Sequence, residues 1–254
     1  MRSWPCWLLL AVPLLSLVAP LPSLGASAPS GEALRLRVLV AVYPDTFADV
    51  ARRAEVENVW REVAEAAAFV RRSSNGRLQL EVERALVERF VPREDFEEPT
   101  PGHYWLNDQL GERKIVESDL LSLGHERDRY DVVAVFYAWQ NGAAGLSQYG
   151  AASIGVNRIL GKAGYLAVPM AWPPDTLHEY FAHELLHCLE SIFEAAGAEF
   201  PHLHNGWAFE ATFGLGQEHW YAQVLADAPY QDYLDQPGPW GTIVRAGEGF
   251  GASD

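Results

Sequence analysis

The chain has 254 residues, 49% hydrophobic and 21% charged, an ordinary globular balance with enough length to bury a substantial core. Its 34 acidic against 19 basic side chains give a net charge of −15, which argues against nucleic acid or an anionic membrane surface as a partner. After the first thirty residues no second long apolar run appears.

The chain opens with "MRSWPCWLLLAVPLLSLVAPLPSLGASA": a basic Arg2, an apolar run over 7–19, and small residues around Ala26 and Ala28. That pattern predicts a secretory signal over residues 1–28, and a secreted mature protein over 29–254 without stable membrane insertion. Pro13 interrupts the apolar run and Pro20 ends it, and the run is short for a membrane span. Cys6 lies too early for lipid attachment at a cleavage site. Removal of this segment leaves Cys188 alone, so no intramolecular disulfide is expected in spite of export.

"LRLRVLVAVY" (Leu34–Tyr43) is β-rich and reads as the first strand. Residues 46–74 carry Phe47, Val50, Ala54, Val56, Val59, Val63, Ala67 and Val70 at helical spacing. They predict one long amphipathic helix that stops near Asn75-Gly76. Next, Leu78, Leu80 and Val82 alternate with Gln79, Glu81 and Glu83, and the phase slips at Ala85, the pattern of a strand with a bulge. Three prolines over 92–109 predict a loop, and "VESDLLSLG" a short helix ending at Gly124. "YDVVAVFYAW" (130–139) is apolar almost throughout, as a central strand covered on both faces would be. Short strands are expected at 152–156 and 165–169, a helix from Asp175 or Thr176, and a last helix from about Gly206 to Ala226. The order predicts a single mixed α/β domain in which a sheet precedes the later helices.

The later helices carry the chemistry. "HEYFAHELLHCLESIFEAAGAEFPHLHN" holds five of the eight histidines in the chain, and His183, Glu184 and His187 spell H-E-x-x-H. Two imidazoles four residues apart lie on one helix face and can reach one zinc ion at about 2.0–2.1 Å. Glu184 lies about 100° around the helix from His183, where its carboxylate can take a proton from water at the metal. Leu177, Phe181, Leu185, Cys188 and Ile192 form an apolar stripe that predicts packing on the sheet. His183, His187, Glu190 and Glu194 form a second stripe that predicts a cleft.

The third metal ligand is open. Glu190 lies seven residues, about 10.5 Å of helix, from His183, awkward for one ion, and suits an outer position. His204 is placed first, because Pro201 fixes its loop and the turn can return it over the cleft. Glu210 and Glu218 follow, and His202 last. Tyr221, His219 and Tyr149 are candidate donors to a developing oxyanion, with Tyr221 carried forward as the catalytic choice. Cys188 falls on the apolar stripe and reads as a buried structural thiol. His178 is off the ligand spacing. Trp105, Trp139, Trp172, Trp207 and Trp220 are expected in the core by default, though they would also suit a glycan-binding cleft.

At His183, Glu184 and His187, with strands before the helix, the chain resembles the zincin-fold H-E-x-x-H metallopeptidases. The resemblance implies a mixed sheet ahead of the active-site helix, a zinc cofactor, and an edge strand that pairs with an extended protein or peptide substrate. "GYLAVPM" (164–170) is the expected edge strand. The metzincin branch would need Gly at 190 and His at 193, where this chain has Glu190 and Phe193. The gluzincin branch would draw on Glu210 or Glu218. The function expected is a secreted zinc metallopeptidase. Its rivals are a non-catalytic zinc-stabilised binding module and a metal-free relative of the enzymes.

Overall fold

The computed structural model describes residues 33–106, 108, 114–125, 129–140, 147–148, 152–154, 164–170, 176–195 and 217–226. β1 (Leu34–Tyr43) and β2 (Leu78–Leu86) pair in parallel, with helix α1 (Arg53–Ser73) between them in sequence. β1 also pairs in parallel with β5 (Val132–Tyr137), and β5 with β8 (Gly164–Pro169). β7 (Ala152–Ile154) lies antiparallel on the far side of β8, so the sheet order is β2-β1-β5-β8-β7. A second, small sheet joins β3 (Glu97–Thr100), β4 (His103–Trp105) and β6 (Ser147–Gln148). Helix α2 (Ile115–Ser122) precedes β5, α3 (Leu177–Ala195) follows β8, and α4 (Gln217–Ala226) completes the described elements. The architecture is mixed α/β within one compact unit, as the order of elements predicts.

Side-chain alternation divides the core in two. Val38, Val40 and Val42 of β1, Val132, Ala134 and Phe136 of β5, and Leu166 and Val168 of β8 pack against α1, α3 and α4. Leu39, Ala41 and Tyr43, Val133, Val135 and Tyr137, and Tyr165 and Ala167 face the other way, toward α2 and the small sheet. Every residue of β5 is buried, as a strand covered on both faces must be.

Four expectations are corrected. The helix expected from residue 46 starts at Arg53. Thr46 turns the chain first: its Oγ1 donates to the Ala138 carbonyl at 2.8 Å and accepts from the Ala48 N–H at 3.2 Å, and Asp45 bridges back to Val50. Phe47 lies edge-on to Phe96, Tyr104 and Trp139, in the core opposite α1. Glu55 then accepts from the Arg52 backbone N–H at 2.6 Å and starts the helix. Its other end is as expected: Asn75 (φ 53°) and Gly76 (φ 79°) are left-handed, and their N–H groups donate to the carbonyls of Arg72 and Arg71.

β2 has no bulge; its register with β1 is unbroken from Leu78 to Leu86. The slip at Ala85 marks a change of covered face, since Leu78 and its partners meet α1 whereas Ala85 and Val87 join the opposite core. Within the proline-rich stretch expected to be a loop, β3 and β4 form a hairpin through Gly102 (φ 82°). Finally, β8 is not an edge strand. Both of its faces are buried, which suits an interior strand, and β7 lies outside it as the last of the described strands.

Candidate metal centre

Helix α3 contains no Gly or Pro and is rich in Leu and Glu, residues of high helix propensity. Leu177, Phe181, Leu185 and Cys188 are buried against the sheet, as the apolar stripe predicts. Gly164, the first residue of β8, lets the helix come close: a Cβ there would lie 2.7 Å from Cys188 Cβ. Cys188 is fully buried and its Sγ faces the Tyr165 carbonyl at 3.7 Å, the place of a structural thiol.

His183 and His187 turn their rings toward each other. Their Nε2 atoms lie 3.2 Å apart, and the rings are nearly perpendicular at 85°. Two nitrogens each about 2.0–2.1 Å from one tetrahedral zinc are about 3.3 Å apart. The two side chains therefore have the donor type and spacing that zinc requires. Glu184, only 4% exposed, places Oε1 3.9 Å from His183 Nε2. That is too long for a hydrogen bond, but it sets a carboxylate beside the nitrogen that would hold the metal. Tyr221, on α4 and 2% exposed, brings its hydroxyl within 2.6 Å of His183 Nδ1. The hydroxyl so lies at the ring nitrogen remote from the convergence point.

One turn and a half toward the start of α3, His178 joins three helices. Its Nδ1 lies 2.7 Å from Oε2 of Glu62 on α1, and its Nε2 3.2 Å from Oε1 of Glu218 on α4. Glu62 is 5% exposed and also meets Arg61 at 3.1 Å. Burial works against ionisation of Glu62, yet the hydrogen bonds from His178 and Arg61 hold its carboxyl below the ordinary value. Burial likewise opposes a charge on His178, and Glu62, Glu218 and Glu179 outweigh it and raise the imidazole above its ordinary value. His178, Glu179 and Glu218 bring ligand-type atoms within 4.8 Å of one another. With a carboxylate at each ring nitrogen, this group reads as a clasp between helices before it reads as a cation site.

Of the residues singled out in the sequence, the structure brings together His183, Glu184, His187 and Tyr221. Glu218 is held at His178. His219 is exposed on α4, and Trp105, Trp139 and Trp220 are buried in the core rather than along a cleft. His202, His204, Glu210, Tyr149, Trp172 and Trp207, and the signal-like residues 1–28, lie outside the described residues, as do the side chains of Glu190, Ile192 and Glu194. The clasp was missed in the sequence, although Glu62 left a signal. It occupies a buried position on α1 among Val59, Val63 and Ala66, and a carboxylate there requires a partner.

No protein-family model matches the chain, and no curated protein matches it.

Proposed function

We propose that the chain is a secreted zinc-dependent metallohydrolase acting on proteins or peptides. The observation that carries this reading is the convergence of two Nε2 atoms at 3.2 Å with the Glu184 carboxylate 3.9 Å from one of them. His183 and His187 would hold the metal, with His204, ranked ahead of Glu210 and Glu218 on sequence, as the proposed third ligand. Zinc bound there would supply a Lewis acid that polarises a carbonyl and makes water acidic enough to lose a proton near neutral pH. Glu184 accepts the proton of the attacking water and returns it to the leaving amine. Its burial keeps that carboxylate in a fixed orientation and limits competition from bulk solvent. β7 would offer the substrate a backbone partner: among the described residues it is the outer strand on the side of α3, and an extended chain added there would pair through its backbone. Among the described residues no helix is long and apolar enough to cross a membrane.

The test separates the two roles. In metal analysis and turnover of an unfolded protein substrate, Glu184→Gln should retain zinc and lose at least about 100-fold in kcat, the scale of general-base catalysis. His183→Ala should lose both zinc and turnover. Stoichiometric zinc with no turnover by the parent would make the chain a binding module. Absence of zinc from a parent supplied with it would end the reading.

A further inference from the structure

Helix α4 meets α3 at Glu218 and at Tyr221 among the described residues. Glu218 meets His178 at 3.2 Å and Tyr221 meets His183 at 2.6 Å. The two residues of α4 are three apart, so they share one helix face. Whatever fixes Glu218 therefore also fixes where the Tyr221 hydroxyl can reach. His178 is in turn held from behind by the buried carboxylate of Glu62 at 2.7 Å.

The Tyr221 contact bears on which nitrogen of His183 is protonated. A neutral imidazole carries one N–H and one lone pair, and between Tyr221, His183 and His187 two directions of hydrogen bonding fit the observed distances. In one, Tyr221 donates to Nδ1 and His183 donates from Nε2 to His187. In the other, His183 donates from Nδ1 to the Tyr221 oxygen and accepts at Nε2 from His187. Only the second turns the Nε2 lone pair of His183 toward the convergence point. Neutral histidine side chains in water favour the Nε2–H form, so the second arrangement needs an acceptor held at Nδ1. A ligand histidine commonly donates its remote N–H to such a partner, which fixes both tautomer and ring orientation.

We propose that Tyr221 is a positioning residue that holds the proton of His183 on Nδ1, and that the Glu62–His178–Glu218 clasp seats the helix that presents it. The proposal rests on the reading of His183 as a ligand and extends it. It gives Tyr221 a role other than donor to an oxyanion, and gives a function to a histidine and two glutamates that the hydrolytic reading does not use.

The deciding measurement is the tautomer of His183, read from imidazole 15N shifts of the metal-free protein at mildly alkaline pH. It requires neither zinc nor turnover. The parent should show the Nδ1–H form, and Tyr221→Phe, which keeps the ring and its packing, should move His183 toward Nε2–H. Glu218→Gln should cause a smaller shift in the same direction, and none when added to Tyr221→Phe, because it acts through that hydroxyl. Competition with a chelator should then show a zinc affinity about 10–100-fold lower for Tyr221→Phe. A parent in the Nε2–H form, or an effect of Glu218→Gln that persists beside Tyr221→Phe, would overturn the proposal. Failure of the parent to bind zinc would instead strike the hydrolytic reading, while the 15N shifts still decide the positioning.

Discussion

Between His183 and His187 the nearest polar atoms are two nitrogens of the same kind, 3.2 Å apart. One proton shared between them fits that separation, and so does a cation held by both lone pairs. Two imidazoles leave a tetrahedral zinc short of protein ligands, so a third carries much of the affinity. Glu218, held by His178, is poorly placed to supply it. His204→Ala is therefore expected to weaken zinc binding by more than about 100-fold, beyond the range of outer-shell changes. Glu210→Ala and His202→Ala should bind like the parent, and Glu218→Ala should lose less than His204→Ala. Chelator competition on the four variants ranks them; parent-like binding by His204→Ala together with loss in Glu210→Ala would move the third ligand to the later glutamate.

At the scale of elements, α1, α3 and α4 are joined through Glu62, His178 and Glu218, and the pH dependence of that contact has a definite sign. His178 is raised above its ordinary value of 6.5, so its contribution is complete below about pH 6.5 and is lost as pH rises through the higher folded value. Glu62 is lowered from 4.5, so its contribution is complete above about pH 4.5 and is lost as pH falls through the lower folded value. The Tm difference between metal-free parent and His178→Gln should be largest between about pH 4.5 and 6.5 and shrink on either side; a difference that does not change with pH would remove the ion pairs from the explanation. These contacts also show what a sequence conceals. β1, β5, the end of α1 at Asn75-Gly76, and α3 were legible because each is written in local periodicity or turn chemistry. The H-E-x-x-H pair was legible for the same reason, as it needs only one helix. The start of α1 was not, because it depends on the Thr46 hydroxyl reaching Ala138, 92 residues away. Nor was the cap of α2, where Asp108 accepts from the N–H groups of Val116 and Glu117, eight and nine residues on, at 3.1 and 2.7 Å. The clasp joins positions 62, 178 and 218, and no short window contains it.

At the scale of the molecule, the sheet carries one layer of helices on one face and α2 with the small sheet on the other. The close approach of Gly164 to Cys188 sets how near α3 lies to the strand that precedes it. An added Cβ would meet Cys188 Cβ at 2.7 Å and Sγ at 2.9 Å, and neither can move away freely in a filled core. Gly164→Ala should cost about 1–3 kcal/mol in denaturant unfolding, and adding Cys188→Ala should not restore stability, since the Cβ that clashes remains. Parent-like stability of Gly164→Ala would mean that α3 and β8 can separate to admit the methyl group. The strand order has a further consequence, in time rather than space. β1 gains β2 on one edge after a single helix, but its other edge closes only on β5, where Arg37 and Asp131 meet across 94 positions. Contacts so distant in sequence slow folding. Until Val132 has been made, a growing chain holds a ten-residue strand with one edge unpaired, a ready template for another copy of itself. The interval between residues 86 and 132 is thus the stretch of synthesis in which this protein most needs shielding from its own kind.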